Sequence, residues 1–268
     1  MKRVLFSVAI LAASVCAADE ITSSNVLGLL PVTSSAKRTI VSVPWCAMSA
    51  TDDAAIQVSN LVKTANLTVD DMLHYVNSDG SYDSWKLSEG AGGVKYWASV
   101  NQVDEQKQST SPASDAKTVA RGNCIVLIRQ NPGTKAAPAT FYLYGQVGTS
   151  ASVETSVVAG TAEAPAYTLI GAPTAAAWNI NDVSWENVSE GDMISITLNN
   201  GFQKTLTPKL EGGVCKWGSM VSKYDDETKM KIGEEWGVYE TPIPAGQGAW
   251  YISHGGKPTI NWSGVPKK

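Results

Sequence analysis

Short apolar runs separated by turn-forming residues dominate the chain, and no segment keeps a sustained helical period. Residues 39–43 form a run of mostly β-branched side chains, and the run ends at Pro44, which lacks the N–H needed for strand pairing. In residues 72–76, alternation places Leu73 and His74 on opposite faces of a strand. The pattern therefore predicts an all-β fold.

These runs occur in the same order twice along the chain. Residues 39–44 correspond to residues 168–173, and each copy continues with a polar turn, a Gly-Gly hairpin signal and a closing alternating strand. The later matched segments are residues 66–73, 86–97, 121–128 and 141–145 in the first copy, and 187–194, 209–217, 245–252 and 260–264 in the second. The sequence thus predicts two tandem homologous modules, each a β-sandwich or barrel-like unit.

The start of the chain has the features of a secretory signal peptide, with a basic beginning, a short apolar stretch and small residues before residue 18. The apolar stretch is too short to span a bilayer. A lipid anchor on Cys16 is an alternative, although its flanking residues match a lipoprotein signal poorly. We therefore predict a cleaved signal peptide at residues 1–18 and modules at residues 19–150 and 151–268.

Other segments carry weaker local signals. An alternating stretch at residues 21–33 predicts a leading strand that ends at Pro31, and residues 101–119 read as a long solvated loop. Residues 175–187 are the best candidate for a short helix or a helical turn, and residues 224–231 form a charged loop of the second module.

The charge balance argues against several partner classes. The chain has 21 basic and 25 acidic residues, which give a formal net charge of −4. Its basic residues do not cluster into a stripe along the sequence. Nucleic-acid binding needs such a basic surface, so neither nucleic acid nor an anionic membrane is predicted as a partner. No later apolar segment reaches the roughly 20 residues of a membrane helix.

The order of motifs resembles β-modules of bacterial surface proteins, and more closely a group of uncharacterised secreted proteins of Gram-negative gut bacteria. The resemblance is carried by residues 25–28, 39–45, 129–132 and 141–146, and it covers nearly the whole mature chain. It implies a secreted, β-rich protein. It carries over no catalytic residue, because none is known for that group.

Candidate residues for catalysis or metal binding are few. The chain has two histidines, His74 and His254, and both are predicted to be structural, since they fall in or at the end of strands. Asp71 and Asp192 occupy matched positions, and we interpret them as turn residues that bind their own backbone rather than as Ca²⁺ ligands. A spatially assembled triad and a glycosidase carboxylate pair are weaker alternatives. We predict no catalytic, metal or cofactor residue.

Three cysteines remain after the predicted cleavage, namely Cys46, Cys124 and Cys215. An odd number in an exported protein leaves at least one outside an intramolecular disulfide. The sequence leaves both alternatives for Cys46 and Cys124, a disulfide between them or two free thiols.

Aromatic residues supply the remaining candidate site. Trp97 and Trp217 occur at matched positions and are predicted to be core residues. Tyr82, Trp85 and Tyr96 form a candidate glycan platform, because exposed aromatic rings on a sheet can stack on sugar rings.

Two functions follow as expectations. The first is a secreted, non-catalytic structural or surface-associated β-repeat protein that self-assembles or joins envelope proteins, in the cell envelope or the extracellular matrix. The alternative is a glycan-binding module that captures polysaccharide through exposed Trp and Tyr side chains.

Overall fold

The computed structural model of the protein describes residues 27–48, 53–77, 81–100, 117–198 and 201–264. Within these ranges the fold is all-β, with one single-turn α-helix and one 3-10 turn at Ala91–Gly93, which confirms the predicted fold class. The predicted signal peptide and most of the predicted loop at residues 101–119 lie outside the described residues.

The elements follow one another along the chain as short strands. In the first half they are β1 (Leu27–Ser34), β2 (Arg38–Ser42), β3 (Ile56–Gln57), α1 (Val58–Leu61), β4 (Met72–Val76), β5 (Tyr82–Glu89), β6 (Lys95–Val100), β7 (Thr118–Val119), β8 (Cys124–Ile128) and β9 (Ala139–Gln146). In the second half they are β10 (Val153–Ser156), β11 (Ala166–Gly171), β12 (Ser184–Glu186), β13 (Met193–Thr197), β14 (Gln203–Glu211), β15 (Val214–Tyr224), β16 (Lys231–Val238), β17 (Gly248–Ser253) and β18 (Thr259–Trp262).

Each half contains one large antiparallel sheet. The first has the order β2-β8-β4-β5-β6, and the second has the order β11-β17-β13-β14-β15-β16. If the edge strand β16 is left out, the two sheets have the same strand order: β11, β17, β13, β14 and β15 take the places of β2, β8, β4, β5 and β6. The smaller pairs also correspond, because β1 pairs with β9 and β10 pairs with β18. This correspondence supports the two tandem modules, whose homology stays a prediction.

One face of each large sheet covers a core of its own. Because successive side chains of a strand point to opposite faces, Leu73 and Trp85 enter the first core, while Ile194 and Trp217 enter the second. Trp217 is 0% exposed and its counterpart Trp97 is 7% exposed, so their predicted core role is confirmed.

Two local predictions are wrong. Residues 175–187 contain turns and β12 instead of a helix, since the backbone of Trp178 forms two hydrogen bonds with Ile243, of 3.0 and 2.8 Å. Pro31 lies within β1 and does not end it. Proline is tolerated on an edge strand, and β1 pairs on one side only.

The two halves pack through the outward faces of β2 and β8 on one side and of β11 and β17 on the other. Ile40, Cys124 and Leu169 belong to a small apolar cluster between them. The approach is close, because a Cβ atom on Gly171 or Gly248 would lie 2.5 or 2.6 Å from the Sγ atom of Cys124. Residues larger than glycine would therefore push the sheets apart.

The contacts at this junction are reciprocal. Gly122 and Gly246 precede β8 and β17 at matched positions, and both have a positive φ, of +85° and +73°. A Cβ atom on Gly122 would lie 3.0 Å from Val153 in β10, and one on Gly246 would lie 2.5 Å from Val32 in β1. Each half of the chain thus places a glycine turn against the leading strand of the other half.

A buried arginine, Arg121, links the two halves of the chain at this junction. The Nε atom of Arg121 donates to the carbonyl oxygen of Pro173 at 3.0 Å, and its Nη1 atom lies 3.9 Å from the carboxylate of Asp53. Burial alone would raise the pKa of Asp53, but hydrogen bonds from Ser150 and Thr149 outweigh it and lower that pKa to about 2. The carboxylate therefore stabilises the fold while it is ionised.

Replacing this carboxylate makes stability depend on pH in a defined window. We expect Asp53→Asn to lower the free energy of unfolding at pH 7 by about 1 kcal/mol, the typical value of one net hydrogen bond. The folded pKa lies below the ordinary 3.8, so the wild-type advantage is complete above that value and disappears as the pH falls through about 2. Urea unfolding across pH 2–7 measures it, with the exposed Asp182→Asn as control. An Asp53→Asn deficit that stays constant over the whole range would contradict this assignment.

Candidate functional site

A cleft lies between the outward faces of the two large sheets. Strands β2, β4, β5 and β8 line one wall, and strands β11, β13, β14 and β17 line the other. Strand alternation explains why polar and aromatic groups line it: His74 and Trp250 point into the cleft, whereas their neighbours Leu73 and Tyr251 point into the two cores. We call this feature the inter-sheet cleft.

The inter-sheet cleft consists of two adjoining cavities of about 310 and 400 Å³. Tyr82, Gln203 and Trp250 border both cavities. Sites for small ligands commonly have volumes of roughly 300–1,000 Å³. The cleft is therefore large enough for one small organic ligand.

Aromatic rings line both walls of the cleft. In the first wall, the rings of His74 and Tyr82 meet edge to face with their centroids 5.7 Å apart. In the second wall, Tyr167 and Trp250 meet edge to face at 6.3 Å. Each pair fixes the orientation of a ring that borders the cleft, so a flat ligand meets aromatic surface on both sides.

The charge in the cleft is positive. Among the described residues that border the two cavities, Arg38 alone carries a formal charge. Burial lowers the pKa of His74, and the nearby positive charge of Arg38 lowers it further, so the imidazole is neutral at pH 7. Its Nε2 atom is buried and has no hydrogen-bond partner among the described residues.

The predicted platform of Tyr82, Trp85 and Tyr96 is not formed, because the three side chains lie in different places. Tyr82 is 45% exposed and borders the inter-sheet cleft, but Trp85 is 1% exposed and packs in the first core. Residues 82 and 85 have opposite parity in β5, which sends their side chains to opposite faces. Tyr96 shares the face of Tyr82 but pairs with Ser88 near the far end of β5.

Sequence reasoning missed Arg38, Tyr167, Gln203 and Trp250. The matched strands show what signal could have found them. The pairs Arg38 and Tyr167, His74 and Ser195, Tyr82 and Gln203, and Val126 and Trp250 each occupy equivalent places in the two sheets. All eight residues border at least one of the two cavities. At these outward-facing positions, the two halves of the chain carry side chains of different chemistry. Such differences between matched strands are therefore the signal that could have located the cleft.

The acidic residues at matched positions have a structural role. Asp71 accepts hydrogen bonds from the backbone N–H groups of Thr68, at 2.9 Å, and Gln130, at 2.6 Å. Asp192 does the same with Ser189, at 2.8 Å, and His254, at 2.7 Å. The interpretation as turn-binding aspartates is confirmed, and each also ties its turn to the end of β8 or β17. No group of three or more metal-binding side chains occurs within the described ranges.

Cys46, Cys124, Cys215 and His254 do not border either cavity of the cleft. None of Cys46, Cys124 and Cys215 forms a disulfide, so the bridge left open by the sequence is not formed. Cys46 contacts Asp53, with 3.8 Å between Sγ and Oδ1. Burial, followed by the charge of Asp192, raises the pKa of Cys215 to about 11, which keeps it an unreactive thiol at pH 7.

Comparisons with known proteins add no identification: no family model, curated protein or solved structure matches this chain. In the part of the chain that the structure describes, no helix has the length and apolarity of a membrane span.

Proposed function

We propose that the protein is an exported, non-catalytic structural protein that assembles at the cell surface or in the envelope through a projecting hairpin. The observation that carries the proposal is the exposure of the hairpin between β15 and β16. We call residues 220–235 of this hairpin the arm.

Side chains on both faces of the arm are exposed. Within it, Asp225 and Gly233 are partly buried and every other residue is exposed. Five large apolar side chains are exposed by 40–68%: Met220, Val221, Tyr224, Met230 and Ile232. A two-stranded ribbon by itself is only marginally stable in water, so a partner that covers these side chains would stabilise it.

The edge of the arm suits a second copy of this chain. Strand β16 ends the six-stranded sheet, so one side of its backbone is open to pairing. Antiparallel pairing of two copies centred on Gly233 places Lys231 of each copy opposite Glu235 of the other. Centring on Glu234 or Glu235 would instead place two glutamates opposite each other, which is unfavourable. Charge complementarity therefore selects one register for a symmetric dimer.

Charge reversal tests this assembly. We expect the wild type to form dimers at high concentration in analytical ultracentrifugation. Lys231→Glu and Glu235→Lys should each weaken the dimer by about tenfold, since each variant opposes like charges twice. The double variant restores opposite charges and should recover the wild-type dissociation constant.

A matched control separates pairing from the loss of surface charge. Lys223 lies on β15 and forms an ion pair with Glu235, with 3.4 Å between Nζ and Oε2. Lys223→Glu breaks this pair without altering the residues that face the second copy, so the dimer should persist. A wild-type protein that stays monomeric at every concentration would refute the proposal.

The second candidate function is glycan binding, and the inter-sheet cleft is the observation that favours it. Sugar rings have apolar faces that stack on aromatic side chains, and Tyr82 and Trp250 offer such rings from opposite walls. This candidate replaces the platform predicted from the sequence with a different set of residues.

A further inference from the structure

The inter-sheet cleft also contains the features that determine which kind of sugar would enter it. This inference deepens the second candidate function and rests on it, whereas it is independent of the arm.

The ligand's charge follows from the charge of the lining. The whole chain has more acidic than basic residues, 25 against 21, yet no described Asp or Glu side chain borders either cavity. The exposed guanidinium of Arg38 has no ion-paired partner within the described ranges. Arginine binds carboxylates through two parallel hydrogen bonds. A ligand with a carboxylate therefore gains an interaction that a neutral one lacks.

The remaining polar groups suit hydroxyl groups. A neutral imidazole both donates and accepts hydrogen bonds, and the ring of His74 borders the first cavity. Gln203 offers an amide to both cavities, and Thr197 offers a hydroxyl to the first. Such mixed donors and acceptors match the hydroxyl groups of a sugar, which also donate and accept.

The aromatic rings and the arginine border the same cavity. Arg38, Tyr82 and Trp250 border the same cavity of about 310 Å³, so one ligand of monosaccharide size reaches all three. The second cavity continues from Tyr82 and Trp250 toward Tyr167, which leaves room for a neighbouring sugar unit.

We propose that the inter-sheet cleft binds a carboxylate-bearing sugar unit, with the carboxylate at Arg38 and the ring between Tyr82 and Trp250. The ligand class is a uronic or sialic acid, free or within an acidic polysaccharide.

Isothermal titration calorimetry of the full chain tests this assignment with D-galacturonic, D-glucuronic and N-acetylneuraminic acid. Galactose and glucose are the neutral counterparts, and acetate is a carboxylate without a ring. We expect at least one acid to bind about tenfold more tightly than the neutral sugars and acetate, a difference that one charge-assisted contact provides.

Variants assign the contacts. Arg38→Gln should reduce affinity for the acid to that of its neutral counterpart, because the variant keeps a polar side chain but loses the charge. Tyr82→Ala should weaken the binding of acidic and neutral sugars alike. Tyr96→Ala is the matched control, since this tyrosine is 50% exposed on the same sheet and does not border either cavity.

Three results would overturn the inference, and they differ in what they leave standing. Equal binding of acidic and neutral sugars would remove the role of Arg38 and keep glycan binding. Acetate binding as tightly as the sugar acids would remove the role of the aromatic rings. A lack of binding by every compound would remove both this inference and the second candidate function.

Discussion

Trp217→Ala is expected to cost the most stability of any single substitution considered for this protein, about 4 kcal/mol of unfolding free energy, as for other buried tryptophans. The side chain is fully buried in the second core. Its ring centroid lies 5.1 Å from that of Trp185 and 5.7 Å from that of Tyr251. Truncation therefore leaves a cavity and removes two edge-to-face aromatic contacts.

Conservative variants distinguish packing from hydrogen bonding. The indole N–H of Trp217 has no partner among the described residues, whereas that of Trp97 donates to the carbonyl oxygen of Val62 at 3.2 Å. We expect Trp217→Phe to cost less than Trp97→Phe by about 1 kcal/mol, the net value of one hydrogen bond. Guanidinium-chloride unfolding monitored by far-ultraviolet circular dichroism provides these values. A Trp217→Ala protein with wild-type stability would show that the second core is not packed as described.

The similar order of residues in the two halves of the chain made part of this architecture predictable from the sequence. Trp97 and Trp217, and likewise Asp71 and Asp192, occupy matched positions, and each pair has one structural task in its module. A local pattern determines such tasks, because strand alternation decides which side chains enter a core. The same rule applied to β5 would have excluded Trp85 from an exposed platform.

The inter-sheet cleft could not be predicted because it depends on how the modules pack together. Arg38 and Trp250 are 212 positions apart, and no local pattern relates them. They border one cavity because Gly171 and Gly248 let the two sheets approach closely next to it. Sequence periodicity identifies the outward face of a strand, but not the surface that covers it.

The sequence predicts a charged loop at residues 224–231, within the arm, and only the turn between the two strands fits that prediction. Residues 225–230 connect β15 and β16, but residues 219–224 of β15 pair with β16 and not with β14. The length of a strand depends on how far it pairs with its neighbour, and that depends on the register of the two strands. The composition of a segment does not reveal this register. The exposed apolar residues consequently had no predicted role.

The second large effect is expected at Asp192, whose carboxylate is 0% exposed and holds three hydrogen bonds. It accepts from the backbone N–H groups of Ser189, at 2.8 Å, and His254, at 2.7 Å, and from the hydroxyl of Tyr251 at 2.7 Å. Burial, and then the hydrogen bond and charge of Asp192, raise the pKa of Tyr251, so this hydroxyl stays protonated and donates. Asp192→Asn replaces an acceptor with a donor and leaves at least one buried N–H or O–H group unpaired.

We expect Asp192→Asn to lower the unfolding free energy by about 3 kcal/mol, since hydrogen bonds to a charged group contribute about 1.5–3 kcal/mol each and their loss is only partly offset by the amide. Asp71→Asn is the matched comparison. Asp71 is equally buried but has two such partners and no tyrosine, so its loss should be smaller by about 1 kcal/mol. Tyr251→Phe should account for that difference, and in the Asp192→Asn background it should cost little, because the hydroxyl has already lost its acceptor. Urea titrations of the wild type, Asp192→Asn, Tyr251→Phe and the double variant measure the coupling between Tyr251 and Asp192. If this coupling is zero and Asp71→Asn costs as much stability as Asp192→Asn, the hydrogen bond from Tyr251 to Asp192 contributes nothing to stability.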